Sequence, residues 1–232
     1  MHVELVKTFR IESAHRSRMG RDPDHLHGHS YEIGVVVQGP CDEKLGWLID
    51  YAEISKHVEP LMRQLDHFDL NDVLGREEVY EADVAEWISE RLAPKLPVLK
   101  EVTVGVIGPC LFRAEPRDAD AKLDLPTRVR FGFEAAHALP HLPEDHKCRR
   151  MHGHSFVVEA AADDVEALTP ALEAVYDRLA HRCLNRVEGL DNPTSENVAR
   201  WIWDVLARDH ERLRAVVVAE TCTARCIYRG GG

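Results

Sequence analysis

A chain that carries one three-histidine pattern twice must build the same local structure twice. Phe9-Arg-Ile-Glu-Ser-Ala-His15 precedes His27-Gly28-His29, and Phe131-Gly-Phe-Glu-Ala-Ala-His137 precedes Cys148-Arg-Arg-Met-His152-Gly153-His154. Side chains alternate between the faces of an extended strand, so each His-Gly-His pair sends both imidazoles from one face. The glycine between them leaves the opposite face bare, open to close approach by backbone or ligand. Three neutral imidazoles without a fourth protein ligand are the usual donor set of a catalytic zinc, whose open position takes water or a substrate oxygen. One His-x-His alone reads as polar loop residues. A duplicated set, His15, His27 and His29 in one copy and His137, His152 and His154 in the other, reads as two metal sites.

The segments around the histidines repeat as well. Val3 to Ala14 and His29 to Gln38 alternate as strands, and an antiparallel pairing of the two would bring His15 beside His27 and His29 across the connection Arg16 to Leu26. Ile54, Val58, Leu61, Met62 and Leu65 form one face of a helix that closes on Asp66-His67. A second helix over Glu81 to Leu92 and a short buried strand over Val102 to Ile107 complete the first copy. Arg113 to Thr127 is polar, holds Pro116 and Pro126 and lacks apolar periodicity, which marks a linker.

Beyond it, Arg128 to Ala136 and His154 to Ala162 repeat the strands. Val165, Leu168, Leu172, Val175 and Leu179 repeat the helix, Thr194 or Ser195 caps a further one, and Ala215 to Ala219 repeats the last strand. The expectation is two tandem α+β units, residues 1–112 and 128–232 joined by 113–127, each an antiparallel sheet with helices on one face.

With 44% hydrophobic and 30% charged residues in 232, the chain is an ordinary globular protein with room for a real core. A formal net charge of -11 argues against a nucleic-acid partner, so an anionic substrate must meet a local basic patch. Lys147, Arg149 and Arg150 around Cys148 form one. Met1-His-Val-Glu-Leu-Val-Lys has no apolar signal core and no run is long enough to span a bilayer, so a cytoplasmic protein without membrane contact is expected. In that compartment the six cysteines read as thiols, Cys222 and Cys226 as strand residues, and only Cys148 has chemistry beside it.

The second copy resembles the 6-carboxytetrahydropterin synthase branch, the queuosine-pathway branch, of the 6-pyruvoyltetrahydropterin synthase family. The likeness runs through Phe133-Glu-Ala-Ala-His137, Pro140-His-Leu-Pro, His146-Lys-Cys148, His152-Gly-His154-Ser-Phe, Cys183-Leu-Asn185, Gly189-Leu-Asp-Asn-Pro-Thr-Ser-Glu196, Trp201-Ile-Trp203 and Glu220-Thr-Cys-Thr-Ala-Arg-Cys-Ile-Tyr228. The first copy is similar more loosely, through its histidines, Gly46 to Tyr51, and Leu65-Asp-His67 to Asn71.

The resemblance implies a tunnelling fold, whose units assemble edge to edge into a barrel as a homo-oligomer, with active sites between units. It implies Zn2+ on the histidines and a pterin triphosphate substrate, 7,8-dihydroneopterin triphosphate, cleaved to 6-carboxytetrahydropterin, acetaldehyde and triphosphate. It further implies Cys148 as a general base with its thiolate favoured by nearby cations, an Asp-His pair as proton relay, and Glu220 as the carboxylate that grips the pterin. A 6-pyruvoyltetrahydropterin synthase-type activity, or a pseudoenzyme that only binds zinc and pterin, are the alternatives.

Each copy departs from the family pattern in its own way. In the first, Pro23 takes the cysteine position and no glutamate stands near Gly108, but Asp66-His67 is intact; in the second, Cys148 and Glu220 are present and the pair reads Ala180-His181. The losses are complementary. One working site built from both copies, with Asp66 and His67 completing Cys148, is the expectation, and a self-contained second site that uses His181 is its rival. A ring of three units cannot alternate two kinds, so such a pairing must run between stacked rings or the ring must hold an even number.

Overall fold

The structure, a computed structural model, describes residues 1–108, the backbone of 113–115, and residues 128–221 and 224–230. The first unit opens with two long strands, β1 (His2–Arg16) and β2 (Leu26–Pro40), paired antiparallel with His15 opposite His27 and Ser13 opposite His29. Ile11, Tyr31, Ile33, Val35 and Val37 are buried together. A slip of one residue would turn that whole set outward, which is what holds the histidine register.

Three helices cover the apolar face: α1 (Tyr51–Leu65), α2 (Leu70–Leu74) and α3 (Glu81–Leu92). The Asp50 carboxylate caps α1 by accepting the Ala52 N–H, and Ile54, Val58, Leu61, Met62 and Leu65 form its buried stripe. β3 (Leu99–Val106) then pairs with β2, giving the order β1-β2-β3. Only Val102 of β3 is buried, so the short buried strand expected there is an edge strand with most of its length partly exposed.

Of the expected linker, 116–127 lies outside the described residues, and Arg113–Glu115 forms a short strand, β4, on the edge of β5 (Arg128–His137). β6 (His152–Ala162) pairs with β5 so that His137 faces His152 and Ala135 faces His154, the relation seen in the first unit. α4 (Thr169–Leu179) leads into a two-residue strand, β7 (Arg182–Cys183), parallel to β5. α5 (Ser195–Leu206) follows, capped by the Thr194 side chain on the Asn197 N–H. β8 (Leu213–Thr221) and β9 (Ala224–Tyr228) finish a sheet of order β4-β5-β6-β8-β9. Cys226 lies in β9 as expected, whereas Cys222 is outside the described residues.

Each unit thus has its own core, Phe131, Phe133 and Phe156 under α4 and α5 in the second. A fully buried side chain of this size contributes about 1.5–3 kcal/mol. No described helix is long and apolar enough to cross a membrane.

The units meet at their histidine ends. A Cβ on Gly28 would lie 2.5 Å from the Gly153 Cα and 2.8 Å from the Ser13 carbonyl oxygen, so both glycines are required where the two backbones touch. Next to them the Ser30 N–H donates to Ser155 Oγ at 3.1 Å and the Ser155 N–H to Ser30 Oγ at 3.0 Å, a reciprocal pair. The Arg16 to Leu26 connection adds ion pairs from Asp22 to Arg182 and from Asp24 to Arg186, and Asp22 Oδ2 accepts the Cys183 N–H at 2.8 Å.

Candidate metal centres

His137 ends β5, and His152 and His154 open β6, so pairing of the two strands gathers three rings with centroids 4.5, 5.1 and 5.0 Å apart. Each Nδ1 is engaged: His137 with the Pro193 carbonyl at 2.9 Å, His152 with the Arg150 carbonyl at 2.8 Å, and His154 with Glu12 Oε2 at 2.8 Å. An imidazole that donates through Nδ1–H keeps its lone pair on Nε2. The three Nε2 atoms are buried without hydrogen-bond partners. With a Glu220 oxygen they lie within 4.8 Å of one another, a donor set that fits a divalent transition metal.

Burial pushes His137 well below the usual histidine range and His152 down to about 2, which keeps both in the neutral form that a metal requires. At His154 burial acts the same way but is outweighed by the Glu12 and Glu220 carboxylates, which raise it to about 9. Glu220 Oε1 stands 3.1 Å from His154 Nε2, poorly aligned for a hydrogen bond, and 3.6 Å from His137 Nε2. The carboxylate expected to face the pterin therefore also faces the metal position. Burial would raise it, but the neighbouring His154, His137 and His67 bring it below its ordinary value.

Cys148 sits on a short 3-10 turn, Lys147–Arg149, capped by His146. Its thiol, His67 and His152 lie within 4.8 Å of one another. The expected cationic lowering of this thiol is not found. Burial, with Glu220 and Asp66, pushes it up against Lys147 and Arg150. Part of the basic patch is spent on the fold: Arg149 donates to the Pro140 and Leu142 carbonyls, and Arg150 donates to the His67 carbonyl and stacks on Phe68. Lys147 Nζ lies 3.4 Å from Asp66 Oδ2.

His67 comes from the other unit. It follows the end of α1, stacks on His152 at 4.3 Å, and has a left-handed backbone with φ of 60°. A non-glycine residue in that region is strained, and such residues gather where function requires them. Asp66 Oδ1 is 2.9 Å from His67 Nδ1 and accepts the Glu12 N–H at 3.0 Å. Burial would raise the Asp66 carboxyl, but His67, the Glu12 N–H and Lys147 hold it at about 2.

His181, at φ of 57° in the matching place of the second unit, lies with the first trio, 5.3 Å from His27 and 6.3 Å from His29. This placement goes against the rival reading in which His181 serves Cys148: His181 lies with the opposite histidines, and His67 takes the place beside the thiol, as the composite reading expects.

In the first trio, His15, His27 and His29 have centroids 4.3, 5.0 and 5.0 Å apart. His15 Nδ1 meets the Val79 carbonyl and His27 Nδ1 the His25 carbonyl, leaving two buried Nε2 atoms unpartnered. Burial lowers all three, His27 to about 3. Among the described residues no thiol or carboxylate joins this trio.

Glu12 was not singled out by sequence. The only signal was its position, three residues before the leading histidine and matched by Glu134.

Over 115 residues, 42% of this chain and 88% of the relative, the chain is 41% identical to the 6-carboxy-5,6,7,8-tetrahydropterin synthase of Synechocystis sp.. Over 97 residues, 42% of this chain and 81% of the relative, it is 30% identical to the dihydroneopterin monophosphate aldolase of Pyrococcus furiosus. The solved structure of Caenorhabditis elegans 6-pyruvoyl tetrahydropterin synthase aligns with 53% of this chain and 98% of its own at 23% identity, with a TM-score of 0.40. The family model for 6-pyruvoyl tetrahydropterin synthase matches residues 4–106 and again residues 127–231, and the chain accordingly belongs to that family, with the family pattern present twice.

Proposed function

We propose that the protein is a zinc-dependent 6-carboxytetrahydropterin synthase, a lyase of queuosine (7-deazaguanine) biosynthesis. It takes 7,8-dihydroneopterin triphosphate and water to 6-carboxytetrahydropterin, acetaldehyde and triphosphate. Its working site joins residues of the two synthase-like units, 1–112 and 128–232. The observation that carries the reading is the meeting of Asp66 and His67 of one unit with Cys148 and His152 of the other.

Zinc on His137, His152 and His154 supplies Lewis acidity to the side-chain hydroxyls of the substrate. Cys148 Sγ takes a proton from the side chain under attack and passes it on, acting as a base and not as a nucleophile. Because this thiol is held above its ordinary value, it starts protonated and needs a neighbour to receive the proton. His67 is that neighbour, and Asp66, 2.9 Å from its Nδ1 but poorly aligned for a hydrogen bond, stabilises the charged ring. Glu220 grips the amino-pyrimidine edge, to which a carboxylate can accept two hydrogen bonds. The first trio holds a second zinc without a thiol and serves structure.

Among the described residues β1, β3 and β9 stand at sheet edges, which supports edge-to-edge assembly of several chains into a barrel; the setting we propose for it is the cytoplasm. In that arrangement the complementary pairing is made inside each chain, at the ends of the sheets, and the edges stay available for other copies.

Turnover of dihydroneopterin triphosphate by the zinc-loaded protein, with acetaldehyde and the pterin product followed together, tests the reading. Acetaldehyde and 6-carboxytetrahydropterin in equal amounts support it. A 6-pyruvoyl product would move the chain to the biopterin type, and bound zinc without turnover would make it a pseudoenzyme. The likeness to an aldolase adds dihydroneopterin monophosphate as the second substrate to assay.

A further inference from the structure

The two units repeat a glutamate at one position, Glu12 in β1 and Glu134 in β5, and the two side chains have different surroundings. The Glu12 carboxylate accepts from His154 Nδ1 at 2.8 Å and from Ser30 Oγ at 2.5 Å, and it is 17% exposed. The main chain of the same residue holds the relay pair. Its N–H donates to Asp66 Oδ1 at 3.0 Å, and its carbonyl accepts the His67 N–H at 2.7 Å. One residue of the first unit therefore sets a metal-facing histidine of the second unit against the Asp-His pair of its own. At the other trio His29 Nδ1, in the place of His154 Nδ1, is buried without a hydrogen-bond partner, and Glu134 Oε2 lies 3.9 Å from His181 Nε2.

We propose, on the metal-centre reading above, that Glu12 is the positioning residue of the second-unit metal centre, supplied across the unit boundary. A carboxylate on Nδ1–H fixes the tautomer and ring orientation of His154 and makes its Nε2 a better donor, while Ser30 holds the carboxylate in place. The second centre is thereby tied to the docking of the first unit, and the first trio lacks the equivalent hydrogen bond.

The test uses the full chain carrying His29→Ala, which leaves one centre to be read. Zn2+ affinity is measured by competition with a chromogenic chelator, and the Co2+-loaded protein is followed by its visible absorption. Glu12→Ala should weaken Zn2+ binding about 10- to 100-fold and shift the Co2+ bands. Glu12→Gln, which keeps an acceptor without its charge and is the safer variant for folding, should fall between. Glu134→Ala should stay within twofold of the parent.

If both Glu12 variants bind Zn2+ and Co2+ as the parent does, the inference is overturned even where they melt earlier, since Glu12 would then only join the units. A parent that binds no metal at all overturns the metal-centre reading and this inference with it.

Discussion

Replacing Asp66 by Asn removes one charge from the shared site and leaves an oxygen to accept the Glu12 N–H. In the folded chain the carboxyl is held at about 2 against an ordinary 3.8, and each pH unit of such a difference corresponds to about 1.4 kcal/mol. The full value is about 2.5 kcal/mol at neutral pH. The side chain is 29% exposed, so screening by water leaves about 1–2 kcal/mol. The sign follows from the lowered value: the contribution is complete above about pH 4 and is lost as pH falls toward 2.

Urea unfolding of the wild type and of Asp66→Asn, at pH 7 and in steps down to 3, should show a stability gap of about 1–2 kcal/mol that narrows below pH 4. Bound zinc should be unchanged, since Asp66 is not among the metal-facing groups. Turnover should fall by about 10²-fold or more, the scale of a lost general acid–base partner. Unchanged turnover at normal zinc content would refute the shared site. A gap as wide at pH 3 as at pH 7 would refute the electrostatic account of Asp66.

Cys148→Ala should lose at least about 10²-fold in turnover while elemental analysis finds the same metal content, because the thiol stands outside the histidine trio. His152→Ala and His27→Ala should each remove one of two metal equivalents per chain, and only His152→Ala should abolish turnover. Stripping metal with a chelator should lower the melting temperature, since an ion at a hundred times its Kd contributes about 2.7 kcal/mol. Gly153→Ala would drive a methyl group into the Gly28 backbone at an expected cost of about 1–3 kcal/mol together with loss of turnover, whereas Gly105→Ala, where a Cβ meets nothing within 4 Å, should be neutral in thermal melts and assays.

The histidine trios were legible because the two-residue period of a strand turns a His-Gly-His spacing into a shared face, and the repeat separated that pattern from chance. The approach of Asp66-His67 to the Cys148 end of the other unit was legible by subtraction, since each copy keeps what the other has lost. What could not be read depends on approach in space. Glu12 meets a partner 142 residues away. The charges beside Cys148 in sequence suggested a lowered thiol, yet Arg149 and Arg150 reach backbone carbonyls while Asp66 and Glu220 approach the thiol from elsewhere. The valines of β3 suggested a buried strand, but the strand closes one edge of its sheet and only Val102 is covered.

The contact of Gly28 with Gly153 lies within one covalent chain, and tethering changes its thermodynamics. Two separate units would find each other by a concentration-dependent equilibrium, whereas units joined by a short connection meet at an effective concentration in the millimolar range. The partnership of His67 with Cys148 is then indifferent to dilution. Turnover per chain, to the extent that it depends on this pair, should stay constant down to protein concentrations at which an assembly of separate units would fall apart.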